Sequence, residues 1–140
     1  MKGTSIFAAI ALTTLLLAGC GASQPESKPI SAEEVAKNEK GYKDIDQAQA
    51  KALIEKKSVQ IVDVRTPEEF AEGHIEGAQL IPLQELEGRL KELKTDQAYL
   101  IVCRSGNRSA QASELLAKNG FTTIYNMTGG MNEWQGDVSK

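Results

Sequence analysis

The sequence predicts an α/β domain with a mostly parallel sheet of about five strands, spanning residues 42–140. Three observations point there. Short apolar runs rich in β-formers recur along the chain, the runs around Val62 and Ile101 being the strongest. Between them lie segments whose apolar residues repeat at helical spacing, such as Leu83, Leu86, Leu90 and Leu93. Helix start and stop signals separate the two kinds of segment, and strands alternating with helices build parallel sheets. The chain shows no internal repeat.

Taken in order, Ile45 and Asp46 lead into Ala48, Ala52, Leu53 and Ile54 at helical spacing. Val59, Ile61, Val62 and Val64 make an apolar run of strand length. It ends at Thr66-Pro67-Glu68-Glu69, with threonine as N-cap, proline at the first helical position and glutamate at the third. Gly73 closes that short helix. Residues 78–81 form another short strand, stopped by Pro82, and the leucines from Leu83 to Leu93 follow as a helix. Residues 98–102 are a third apolar strand, and a helix over residues 109–119 ends at Gly120. The last strand covers residues 122–125; Gly129-Gly130 and a short helix through Trp134 complete the domain.

Composition narrows the function. A net charge of -3 with no Lys/Arg run excludes nucleic acid as a partner. Only Cys20 and Cys103 are present, too few for a disulfide framework and without the nearby histidines of a zinc site.

Cys20 belongs to a leader. Lys2 precedes an apolar run from Ile6 to Leu17 of about 12 residues, where a spanning helix needs roughly 20. Such a run fits the core of a secretory signal peptide. It closes with Leu17-Ala18-Gly19-Cys20, which resembles the lipobox of bacterial lipoproteins. The resemblance implies cleavage before Cys20, a diacylglycerol on its thiol, and anchoring to a bacterial membrane outside the cytoplasm. A plain secretory signal cut near Ala18 or Ala22 is the alternative. Residues 1–19 are thus read as signal peptide. Residues 20–41, with Ser23, Pro25, Ser27, Pro29 and the charged stretch from Glu33 to Lys40, are read as a lipidated N-terminus and flexible tether.

Cys103 sits where chemistry is expected. An apolar strand runs straight into it, and a helix opens about six residues later. In open α/β sheets ligands bind beyond the carboxyl ends of strands. A loop there that opens a helix turns backbone amides inward and makes an anion cradle. Gly106 permits the tight path, and Arg108 offers a planar fork for oxyanions. Such surroundings favour a thiolate, which is a nucleophile. The contrary reading is an inert core cysteine at a strand end.

The stretch Cys103-Arg104-Ser105-Gly106-Asn107-Arg108 resembles the six-residue active-site loop of single-domain rhodaneses. Three further segments resemble the same family in the same order: Val62-Asp63-Val64-Arg65 with Glu68-Glu69-Phe70, Gly73-His74-Ile75-Glu76-Gly77-Ala78, and Gly129-Gly130-Met131-Asn132-Glu133-Trp134. The resemblance covers residues 43–138. It implies a three-layer α/β/α fold and a two-stage sulfur transfer without cofactor. Cys103 attacks the outer sulfur of a small anionic donor such as thiosulfate, becomes a persulfide, and passes the sulfur to cyanide or a thiol. Arg104, Ser105, Gly106, Asn107, Arg108 and Ser109 would line the substrate. Asp63 and Arg65 would lie beside the loop, with a structural ion pair the favoured role. His74, the only histidine, is expected to stabilise a turn, and Trp134 to pack the terminal helix.

Two alternatives remain in the sequence. One is a non-catalytic or sulfur-carrying interaction module. The other is phosphatase or arsenate reductase chemistry, whose loops are longer than the four residues between Cys103 and Arg108. A dithiol oxidoreductase is disfavoured, because no resolving cysteine accompanies Cys103. For the leader, labelled palmitate fed to producing cells is expected to tag the wild-type chain and leave Cys20→Ala unlabelled; equal labelling of both would remove the lipid anchor.

Overall fold

Residues 39–140 are described by the computed structural model. The strands are β1 (Lys43–Ile45), β2 (Gln60–Asp63), β3 (Gln79–Leu80), β4 (Ala98–Val102) and β5 (Thr123–Met127). They form one sheet in the order β1-β5-β4-β2-β3, every pair parallel. The helices are α1 (Gln47–Glu55), α2 (Pro67–Glu72), α3 (Leu83–Arg89), α4 (Asn107–Lys118) and α5 (Gly130–Glu133). Cys20, the tether and the charged stretch before residue 39 lie outside the described residues. Among the described residues no helix is long and apolar enough to cross a membrane.

Burial on both faces of the sheet explains the continuous apolar runs, since a parallel sheet covered on both sides has no wet face. One face carries Val62, Tyr99, Ile101, Cys103 and Ile124 and packs against Leu86 of α3 and Ala112 and Leu116 of α4. The other carries Ile45, Ile61, Leu100, Val102 and Met127 and packs against Ala50 of α1, with Met131 and Trp134 at its margin. The result is a three-layer α/β/α arrangement. β4 occupies its middle, with Leu100, Ile101 and Val102 fully buried.

The helix starts follow the local chemistry of their caps. Asp46 caps α1 and Thr66 caps α2, each in a reciprocal box with the third helical residue, Gln49 or Glu69. Several elements differ from the sequence reading: β1 is not predicted as a strand, β5 runs on to Met127 beyond Tyr125, and two helices have other bounds. The leucine repeat from Leu83 does not stay α-helical: α3 ends at Arg89 and tightens into a 3-10 turn over Leu90–Glu92. α4 begins at Asn107, two residues earlier than its apolar periodicity suggests. Gly106 is the reason. Its φ of +98° turns the chain directly from the loop into the helix, a conformation open to glycine and costly for other residues.

Strand order reverses between β2 and β4: the chain leaves β2 for β3 on one side and β4 for β5 on the other. Loops diverging in this way open a crevice at the carboxyl ends of the two strands. The β2 side of that crevice is stiffened by a buried pair. Arg65 Nη2 lies 2.7 Å from Asp63 Oδ2, and the same nitrogen donates to the Gly73 carbonyl at 2.9 Å. Arg65 thereby ties the end of β2 to the end of α2. Removing one partner of such a pair strands the other charge in the core. Arg65→Ala is expected to cost about 3–5 kcal/mol of stability, read as a lower urea midpoint; an unchanged midpoint would contradict the tie.

Candidate active site

Cys103 follows the last residue of the central strand and is 1% exposed. Its Sγ accepts the Gly106 amide at 3.0 Å and lies 3.3 Å from Ser109 Oγ. The sulfur therefore sits inside the turn made by the loop, with a backbone donor and a hydroxyl on it. Ser109 itself is fully buried, and its carbonyl accepts the Ser113 hydroxyl at 2.7 Å. Asn107, Arg108 and Ser109 form the first turn of α4, ahead of its first intrahelical bond from Ala110 N to Gly106 O at 3.1 Å. Amides in a first turn have no intrahelical acceptor, and they face the positive end of the helix dipole. Ser105 and Asn107 are exposed at the rim.

A second element braces the loop from behind. The amides of Met131 and Asn132, at the start of α5, donate to the carbonyls of Cys103 and Arg104 at 2.9 Å each. Taking those carbonyls away from the crevice leaves the opposite side of the loop to its amides. So close an approach requires glycine: a Cβ on Gly130 would stand 2.6 Å from the Arg104 carbonyl carbon, and Gly130 has φ of +56°. The Gly129-Gly130 pair is thus a backbone contact surface for the cysteine loop.

The charged side chains of the loop turn to a carboxylate of α2. Arg108 donates through Nη1 and Nη2 to the two carboxylate oxygens of Glu69, at 2.7 and 2.8 Å. Arg104 Nε donates to Glu69 Oε1 at 2.8 Å, and its Nη2 lies 3.8 Å from Glu72 Oε2. One carboxylate on α2 therefore clasps both guanidiniums of the loop on α4. The Arg108 guanidinium, with the Thr66 amide and Arg104 adding to it, holds the Glu69 carboxyl down to about 2, against the opposing effect of burial. That folded value lies below the ordinary 4.5, so the clasp contributes its full stability above about pH 4.5 and loses it as pH falls through about 2.

Sequence reasoning treated Glu69 only as a capping residue, and it is both cap and clasp. Its third-position place in the box aims the side chain back along the helix start, but its loop partners lie 35 and 39 residues away. Asp63 and Arg65 pair with each other beneath this clasp. His74 stands apart from Cys103 chemistry: its ring stacks on Phe70 at 3.7 Å, and Nδ1 donates to the Phe70 carbonyl at 3.0 Å. Trp134 donates to the Asp137 carbonyl and borders the second core.

A parallel α/β sheet that delivers a buried cysteine from its central strand into a glycine-turned loop at a helix start defines a class of cysteine-loop domains. Within that class the assignment is specific. Residues 46–137 match the model of the Rhodanese-like domain, and the chain belongs to this family of rhodanese-like sulfurtransferases. It is 44% identical over 82 residues to the uncharacterized protein YqhL of Bacillus subtilis (strain 168), a match covering 59% of this chain and 65% of that one. It is 33% identical over 99 residues to the thiosulfate sulfurtransferase GlpE of Pseudoalteromonas translucida, covering 71% and 94%. Among solved structures, a rhodanese-like domain protein from Staphylococcus aureus superposes with a TM-score of 0.64 at 42% identity, covering 69% of this chain and 96% of that one.

Gly130→Ala tests the brace. It is expected to lower stability by about 1–3 kcal/mol through the strained backbone, and to change the rate at which iodoacetamide alkylates Cys103. A melting temperature and alkylation rate equal to wild type would show that the loop does not depend on this contact.

Proposed function

We propose that the protein is a sulfurtransferase that carries a sulfane sulfur as a persulfide on Cys103. The observation that carries this reading is the placement of Cys103 Sγ, with the Gly106 amide at 3.0 Å and Ser109 Oγ at 3.3 Å. Those donors suit a sulfur bearing negative charge, both as the attacking thiolate and as the loaded persulfide. In the first stage the thiolate attacks the outer sulfur of a donor such as thiosulfate; the donor's S–S bond breaks and sulfite leaves with the electron pair. In the second stage a thiol or cyanide takes the outer sulfur and regenerates the Cys103 thiolate. Arg104, Ser105, Gly106, Asn107, Arg108 and Ser109 shape the donor site, and Asp63 and Arg65 hold the floor beneath it.

Two observations favour this reading over phosphoryl chemistry. Four residues separate Cys103 from Arg108, and the Arg108 fork is closed on Glu69. The relative named thiosulfate sulfurtransferase supports it further. The lipobox-like Leu17-Ala18-Gly19-Cys20 supports a lipid anchor at Cys20 and a site of action outside the cytoplasm, with residues 20–41 as the tether.

Intact mass measures the central step. Incubation with thiosulfate is expected to add one sulfur atom to the protein, and cyanide to remove it. Cys103→Ser is expected to take up no sulfur and to lose thiosulfate–cyanide transfer altogether. Uptake that survives this substitution would sink the persulfide mechanism.

A further inference from the structure

The Gly129-Gly130 turn has little stiffness of its own. Both residues lie at positive φ, +74° and +56°, and glycine visits such conformations without being confined to them. Yet the cysteine loop is seated on this turn at two places. The Met131 and Asn132 amides that follow it donate to the Cys103 and Arg104 carbonyls. Gly106, whose amide reaches Cys103 Sγ, lies against the Thr128-Gly129 peptide: a Cβ on it would stand 3.3 Å from the Gly129 nitrogen and 3.4 Å from Thr128 Cα.

Gln47, the first residue of α1, clamps the turn. Its Nε2 donates to the Thr128 carbonyl at 2.7 Å and to the Gly130 carbonyl at 3.2 Å, straddling Gly129. The two carbonyls fix which way the amide faces, because a flipped amide would set oxygen against oxygen. Its Oε1 is buried, and among the described residues nothing donates to it. A buried acceptor left unpaired costs stability, so the group that the site retains is the NH2. The capping box of Asp46 and Gln49 fixes the helix start on which that donor is mounted.

Resting on the sulfurtransferase reading, we propose that Gln47 is a positioning residue for sulfur transfer: it fixes the Gly129-Gly130 turn and, through it, the place of the Gly106 amide on Cys103 Sγ. Gln47 touches neither the cysteine sulfur nor a donor. Its effect falls on the transfer step rather than on donor binding, since the loop arginines are held independently by Glu69.

Gln47→Glu and Gln47→Met keep the length of the side chain and remove the NH2, whereas Gln47→Lys restores a donor. Loading of Cys103 from thiosulfate is followed in a single turnover by intact mass, over a range of donor concentrations. In the Glu and Met variants the limiting rate is expected to fall about tenfold, with the half-saturating concentration within about twofold of wild type. The Lys variant is expected to recover most of that rate. If one of the first two variants does not fold, the other carries the test. A limiting rate equal to wild type in the folded variants would overturn the role, even with a lowered melting temperature, and so would a Lys variant as slow as the Glu and Met variants. Alkylation of Cys103 by iodoacetamide needs no sulfur donor, and its rate is expected to change in the same two variants and return with lysine. That measurement decides the role of Gln47 if wild type takes up no sulfur, an outcome that brings down the sulfurtransferase reading alone.

Discussion

β4 is paired on both edges, to β2 through residues such as Val62 and Ile101 and to β5 through Leu100 and Tyr125. What braces the Cys103 loop from outside is delivered by those two neighbours. From the end of β2 come the Asp63–Arg65 pair and then α2, which presents Glu69. From the end of β5 comes the Gly129-Gly130 turn, whose following amides take the Cys103 and Arg104 carbonyls. A parallel register places all these carboxyl ends at one rim of the sheet. Were β4 an edge strand, its loop would have a brace on one side only.

The cysteine loop is therefore shaped by three features, two of them contacts of distinct chemistry. Backbone hydrogen bonds from α5 set the direction of its carbonyls. The reversed strand order opens the crevice into which its amides turn. The Glu69 carboxylate sets the electrostatics of the mouth, because it claims both guanidiniums that would otherwise dominate the field there. The last of these changes how the loop is understood. Two arginines within six residues suggest guanidiniums free to bind an anion; in the structure both are paired with Glu69.

Much of the fold was legible in local signals. The apolar runs of β2 and β4 declare strands buried on both faces, and the Thr66-Pro67-Glu68-Glu69 start of α2 is realised as a capping box. The start of α4 was less legible. Asn107 and Arg108 look like loop residues because they are polar and lie off the apolar stripe, yet Gly106 turns the chain so early that they are helical. The tightening of the chain after Arg89 was hidden as well, since leucines three or four apart serve an α-helix and a 3-10 turn almost equally.

By itself the sequence determined the class of fold, the cysteine at the end of a buried strand, and the glycine that turns its loop into a helix. Those features depend on periodicity, capping and backbone freedom, which act over a few neighbouring residues and leave their mark in composition. Tertiary structure alone decided the charge at the mouth and the brace behind the loop. Glu69 meets Arg108 across 39 positions, and Gly130 approaches Cys103 from a different strand connection. Contacts of that kind exist only once the sheet has set its order. Cys103 could be read from its neighbours in the chain, whereas the pairing of its loop arginines depends on neighbours in space.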